Sequence, residues 1–134
     1  MRILTCLSAL GLLPLASLAQ IPPPIEWQRS LGGTGDENGR AIRQTPDGGF
    51  IVAGNSGSID GVVTGNHGNG DCWVVKLAVD GTLQWQRSLG GSGQDEGTDV
   101  LVASDEGYLV VGSSSSNDGD VSGNHGGSDG WVVK

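Results

Sequence analysis

Cysteine is almost absent from this sequence: Cys6 and Cys72 are the two in 134 residues. Cys6 falls in an N-terminal leader, which leaves Cys72 without an intrachain partner and excludes a disulfide framework. Its counterpart later in the chain is Gly130, so the thiol reads as packing and not as a nucleophile or ligand. Basic residues are scarce as well, with seven Lys and Arg against fifteen Asp and Glu and a formal charge of −8. That balance excludes nucleic acid as a partner, because such binding rests on Lys and Arg neutralising phosphates. It favours solubility and attracts cations. Long apolar runs are missing apart from Ile3 to Leu18, broken by Pro14 and shorter than the roughly 20 residues of a membrane-spanning helix. Arg2 before that run and Ser17-Leu18-Ala19 after it mark residues 1–19 as a secretory signal peptide. No Cys follows the cleavage site, which argues against a lipoprotein anchor. The mature chain is expected to begin near Gln20, with six bases against fifteen acids. Its expected location is secreted, extracellular or at the cell surface.

What the sequence has in plenty is glycine, 25 residues of it, and internal repetition. Residues 20–25 are a Pro-rich lead-in that holds an extended conformation. From Trp27 onward the chain can be laid on itself without a gap at an offset of 58, Trp27 on Trp85 and Lys76 on Lys134. Self-similarity at a fixed period is the mark of a solenoid, propeller or array, so residues 26–134 are read as two repeats.

The stretch Asp71 to Gly91 shows how one repeat folds. An apolar run from Trp73 to Val79, the Asp80-Gly81 turn and an alternating run from Leu83 to Leu89 spell a β-hairpin. Each unit then reads as four strands. Strand a is expected over Arg40 to Thr45 and Thr98 to Ala103, and strand b over Phe50 to Gly54 and Tyr108 to Gly112. Strand c follows over Trp73 to Ala78 and Trp131 to Lys134. Strand d is expected over Leu83 to Leu89, with a copy at Glu26 to Leu31 that precedes the first strand a. Strands b and c are apolar on both faces and so are expected to be buried on both. These features give an all-β fold class: a β-propeller of four-stranded antiparallel blades, with two blades present. Two blades cannot close a ring of about 4 to 8, so either the chain is part of a larger ring or several copies assemble one.

The pattern W-x-R-x-L-G-G, then D-G-G-[FY]-[IL]-V-x-G, then S-x-D-G-x-V-x-G-N-H-G-x-x-D-x-W-V-V-K resembles the repeats of secreted bacterial β-propeller proteins. The likeness is strongest to those of the Bacteroidetes type, many of which end in a type IX secretion sorting domain. It covers essentially the whole mature chain, although the sorting domain is not in it. The resemblance implies a propeller and export; it implies no particular activity. Asp80-Gly81-Thr82-Leu83-Gln84-Trp85 is also similar to the Asp-box of sialidases, and Trp85 to the docking tryptophan of quinoprotein propellers, but neither likeness brings catalytic residues with it.

The four tryptophans are Trp27, Trp73, Trp85 and Trp131, and each has a partner 58 residues away. A residue needed in every unit is explained by the packing of every unit, so these are structural positions. Arg29 and Arg87, and Lys76 and Lys134, recur in the same way and read as ion pairs or as stems laid along apolar surface. His67 and His125 share one slot in Gly-Asn-His-Gly and read as loop hydrogen-bonders, since no nucleophile and orienting acid recur beside them as a triad requires.

The loops carry the remaining chemistry. In an antiparallel meander the b-to-c and d-to-a connections emerge on one face, which collects Asp36, Glu37, Asp60, Asp71, Asp95, Glu96, Asp118, Asp120 and Asp129. Asp118, Asp120, Ser122, Gly123 and Asp129 have the spacing of a calcium loop: oxygens at positions 1, 3 and 5, a turning glycine at 6 and a carboxylate at 12. The first repeat has Val62 where the second has Asp120. The same residue types are also what turns are made of, and both readings stand from the sequence alone.

No catalytic residue and no cofactor other than calcium is identified. The expected function is a non-catalytic binding or adhesion scaffold with a protein or glycan ligand. Two alternatives are a two-blade, lectin-like subunit that oligomerises into a carbohydrate-binding ring if the chain is complete, and the propeller portion of a secreted hydrolase or quinoprotein.

Overall fold

A computed structural model describes residues 21–134, so the expected leader over 1–19 lies outside the described residues. Residues 21–25, the rest of the lead-in, are exposed and belong to no strand. Seven strands follow: β1 (Glu37–Gln44), β2 (Phe50–Ser56), β3 (Asp71–Leu77), β4 (Leu83–Leu89), β5 (Asp95–Val102), β6 (Tyr108–Ser114) and β7 (Asp129–Val133). They form two antiparallel sheets, one of four strands in the order β1-β2-β3-β4 and one of three in the order β5-β6-β7. Among the described residues no helix is long and apolar enough to cross a membrane.

Turn chemistry explains the hairpins. In the β3–β4 turn Gly81 takes a φ of 77°, which costs glycine nothing for want of a Cβ, and Asp80 Oδ1 accepts from Thr82 N at 2.9 Å. The equivalent β1–β2 and β5–β6 turns place Gly48 and Glu106 at positive φ, 80° and 63°. Sequence expectation and structure agree on β4. They differ by two or three residues at the loop-side ends of the other strands, because Glu37, Ser56, Asp71, Asp95, Ser114 and Asp129 continue the ladders as their side chains turn into the loops.

One expected strand is corrected. Glu26 to Leu31 joins no ladder, and a strand exists only where a neighbour takes its N–H and C=O groups. The segment lies instead against the four-stranded sheet. Trp27 meets Phe50 with ring centroids 5.7 Å apart, and Leu31 packs on the cluster of Val63, Trp73, Val75 and Leu77. β4 lies on the second sheet in the same manner, with Trp85 and Tyr108 5.8 Å apart.

The core sits between the sheets. Ile51, Ala53, Cys72, Val74 and Leu89 from the first pack against Val100 and Val110 of the second, with Tyr108, Trp131 and Val133 at its margin. Burial of both faces, expected for strands b and c, holds along β3 but not along β7, which alternates between half-buried and exposed. Glycine lets the sheets pack tightly at Gly97: a Cβ there would lie 2.8 Å from Cys72 Sγ and 3.0 Å from Gly54 O. Arg43 to Asp99 at 2.6 Å and Arg40 to Glu96 at 3.5 Å bridge β1 to β5 at the surface.

Candidate functional site

The loops at one end of the sheets bring together most of the residues singled out from the sequence. Each Leu-Gly-Gly stretch forms a turn whose amides point at acids and hydroxyls. In the first turn, Gly33 N donates to Glu37 Oε2 at 3.0 Å, Thr34 N to Asp60 Oδ1 at 2.7 Å and Gly35 N to Ser58 Oγ at 2.8 Å. In the second, Gly91 N donates to Asp95 Oδ2 at 2.8 Å, Ser92 N to Asp118 Oδ1 at 2.8 Å and Gly93 N to Ser116 Oγ at 2.9 Å. The bond from Ser92 N holds the Asp118 carboxyl below its ordinary range, because hydrogen bonding to the charged form favours that form.

The long loops close on themselves in the same way. Asn66 and Asn124 each donate through Nδ2 to a strand carbonyl, of Ser56 and Ser114, at 3.0 Å. His67 lies on Asp71, with its amide at 3.0 Å and Nδ1 at 2.7 Å from Oδ2. His125 lies likewise on Asp129, at 2.7 and 3.0 Å, and the amide bond lowers the Asp129 pKa.

Of the four candidate calcium ligands, Asp118 caps the Ser92 turn and Asp129 caps His125, while Asp120 Oδ2 lies 3.4 Å from Gly90 N and Ser122 is exposed. Among the described residues, no group of three or more His, Cys, Asp or Glu side chains converges on one point. A calcium ion bound by Asp118 and Asp129 would compete with the amides these carboxylates already accept. The melting temperature is therefore expected to be the same in calcium and in EDTA. A rise in calcium that Asp120→Ala abolishes would instead establish the loop as a metal site.

Ser122, His125 and Asp129 line one cavity of about 240 Å³ beside Trp131. Asp129 orients the imidazole, but His125 makes no hydrogen bond to Ser122 among the described residues. In the first loop the matching hydroxyl, Thr64 Oγ1, accepts from Gln86 at 2.6 Å, and Gln86 Oε1 accepts from Trp73 Nε1 at 2.7 Å.

A feature that sequence reading places on the surface is in fact interior: Asp71 and Asp95 are both fully buried. Asp95 accepts from Gly91 N, from Ser116 Oγ at 2.8 Å and from Ser114 Oγ. Asp71 Oδ1 is buried with no hydrogen-bond partner. A Cβ on Gly90 would lie 2.5 Å from Asp95 Oδ2 and 2.9 Å from Asp71 Oδ1, so only glycine fits between them. Burial raises the Asp71 pKa against the opposing pull of its His67 bonds, and the Asp95 charge adds to the rise. The same burial, with both carboxylates near, pushes the Cys72 thiol up to about 12, which keeps it protonated and unreactive. The signal available in the sequence was that an acid recurs in each slot, Asp71 with Asp129 and Glu37 with Asp95.

The hydrogen bond to Asp71 raises the His67 pKa, which burial partly offsets. A base with a raised folded pKa adds stability that is full below its ordinary value of 6.5 and is lost as pH rises through the folded one. Stability is therefore expected to fall as pH rises above about 6.5, and His67→Gln to flatten that slope in thermal melts. Equal slopes for the two proteins would refute it.

A scan against protein families finds no match for this chain, and a search of curated proteins finds none.

Proposed function

We propose that this chain is a non-catalytic, secreted or cell-surface β-propeller scaffold whose acidic loop rim is the contact surface. One observation supports it above the rest: the Leu-Gly-Gly and His–Asp bonds described above are made twice, by residues 58 apart. An active site needs its groups assembled once and directed at a substrate. Here carboxylates and hydroxyls are directed at main-chain amides in both units, and each imidazole at the carboxylate that caps its own amide, which is the work of a frame. The exposed acids Asp36, Asp60, Asp118 and Asp120 remain on the rim, and their field attracts cationic or polar partners.

The reading is tested with immobilised basic peptides and glycans at physiological salt. Binding is expected to weaken at least tenfold when Asp36 and Asp120 are both changed to Asn, with the melting temperature unchanged. Binding indifferent to both substitutions, or turnover of any member of the panel, would overturn it.

A further inference from the structure

We propose that a neutral, hydroxyl-rich saccharide binds in the cleft between the two units, at the loop end where β1, β2 and β5 meet. The proposal rests on the reading of the chain as a binding scaffold and gives that scaffold a ligand class and a place to hold it.

The cleft is where the repeat breaks. It is a cavity of about 500 Å³, a size that falls within the roughly 300–1,000 Å³ of small-molecule sites. The first unit contributes the side chains of Asp36, Asn38, Arg40, Asn55 and Asn69 to its lining. None of the five is repeated: 58 residues later stand Gln94, Glu96, Thr98, Ser113 and Gly127. On the same loops Ser58, Asp60, Asn66, His67 and Asp71 do recur unchanged, and these hold the frame. A frame has to be built in each unit, whereas a binding site is assembled once. The unrepeated polar set is therefore the one that packing does not explain.

Strand pairing brings the amides together. Asn38 and Asn55 are direct partners in the β1–β2 ladder, so their side chains lie on one face of the sheet. That face is turned to the second sheet, because Ile51 and Ala53 belong to the core between the sheets and Asn55 follows them at the strand period of two. Asn55 thus ends the core stripe of β2 with an amide. Its Oδ1 is buried with no hydrogen-bond partner among the described residues, an acceptor whose desolvation is offset only when a donor reaches it. Asn38 and Asn69 are exposed at the mouth. The walls are already held, with Gly57 N donating to Asp36 O and Asp95 N to Gly70 O, both at 2.9 Å, so a ligand enters a formed cleft and little ordering opposes it.

Charge and hydrogen-bonding capacity select the ligand. Glu96 accepts from Gln94 Nε2 at 2.9 Å and from Arg40 Nη2 at 3.5 Å, and Asp95 is turned to Gly91, Ser114 and Ser116. Arg40 is thereby matched inside the cleft, and an anion would meet the Asp36 carboxylate with no free base to hold it. A cation finds Asp36 alone, since the other two acids have their donors. No lining side chain is apolar, so an apolar ligand has no surface to bury there. What remains is a set of amides, each with both a donor and an acceptor, beside one carboxylate that only accepts. A hydroxyl is donor and acceptor at once and suits the amides from either side, while a vicinal pair of hydroxyls can donate to the two oxygens of Asp36. A saccharide ring carries such groups around its rim.

An array of neutral mono- to tetrasaccharides probed with the purified chain, followed by calorimetry with the best-bound member, reads the outcome. Binding of a neutral saccharide is expected. Asn55→Ser together with Asn69→Gly is expected to weaken it at least about tenfold, the equivalent of one or two lost hydrogen bonds. The melting temperature is expected to stay unchanged, because the second unit carries that serine and that glycine in the same places. Asn38→Ala, at an exposed position, is expected to weaken binding in the same direction. An array with no bound neutral saccharide overturns the proposal, and basic peptides held through Asp36 and Asp120 would in that case leave the scaffold reading intact. A saccharide whose binding survives Asn55→Ser with Asn69→Gly but falls with Asp120→Asn sits elsewhere on the rim, and overturns the cleft alone. A chain that binds neither saccharides nor basic peptides refutes both readings.

Discussion

Replacing Gly54 with alanine is expected to cost about 3 kcal/mol of stability, near the upper end for forcing one extra carbon into a packed interior. The reason is a bulge. Between Gly39 and Ala41 the β1–β2 register shifts by a residue, so that β1 bends and turns the Asn38 carbonyl across the face of β2. A Cβ on Gly54 would lie 1.8 Å from Asn38 O and 2.9 Å from Asn38 C. The obstacle is backbone, so a rotamer change cannot relieve it; either the bulge is ironed out or β1 is pushed off the sheet. Either movement reaches the second sheet, because Gly54 O is 3.0 Å from the place of a Gly97 Cβ. A domain of this size loses about 4–8 °C of melting temperature per kcal/mol, so a drop of more than about 10 °C in a thermal melt is expected. The same change at Gly112, where a Cβ would lie 1.7 Å from Glu96 O, is expected to behave alike. Gly130→Ala is the control. No atom lies within 4 Å of its Cβ position, and an effect within about 0.5 kcal/mol is expected, as for surface substitutions in general. Equal melting temperatures for Gly54→Ala and Gly130→Ala would refute the argument.

The glycine after Phe-Ile-Val-Ala and Tyr-Leu-Val-Val was visible in the sequence, but its reason was not. A glycine at a strand end reads as the start of a turn. Here it sits inside the ladder, and the bulge that demands it lies in another strand. The β3–β4 hairpin was legible for the opposite reason: its pairing is local, and Asp80-Gly81 fixes the turn without help from elsewhere.

The same distinction runs through the loops. That Asp60 with Asp118, Ser58 with Ser116 and His67 with His125 occupy matching slots follows from the offset of 58, and their recurrence already favoured a structural role over a single site. What they hold could not be read. Asp118 caps an amide 26 residues earlier in the chain and Ser116 one 23 residues earlier, and nothing in local spacing announces a partner at that distance. The calcium spacing of Asp118, Asp120, Ser122 and Asp129 assumed a loop that turns about one centre, whereas this loop divides its carboxylates between two turns. The expected strand at Glu26 to Leu31 was misjudged for a related reason. Its side-chain alternation matches β4, but strand formation depends on an edge to pair with, and pattern alone does not supply one.

Asp95→Ala is expected to be as damaging, at about 3–5 kcal/mol, though a buried charge beside another is ordinarily a liability. Two effects oppose each other. Removing Asp95 relieves its repulsion of Asp71, which contributes to the raised pKa of that group. It also leaves Gly91 N, Ser114 Oγ and Ser116 Oγ without their acceptor, where no water reaches the Asp95 side chain they surround. Each orphaned buried donor costs about 1–3 kcal/mol, and three of them outweigh one relieved repulsion. The loss is expected to spread: the Gly91 turn loosens, and with it the bond from Asp95 N to Gly70 O at 2.9 Å that ties the second sheet to the loop before β3. Asp95→Glu separates the two terms. In the first sheet Glu37 occupies this slot and accepts from Gly33 N at 3.0 Å and Ser56 Oγ at 2.7 Å, so a glutamate reaches the same donors from the same strand position. Urea unfolding is expected to place Asp95→Glu about 1–3 kcal/mol below the parent, the range for one extra methylene in a packed interior, and Asp95→Ala below both. An alanine variant more stable than the glutamate one would mean that the repulsion of Asp71, and not the three hydrogen bonds, governs the interior between the sheets.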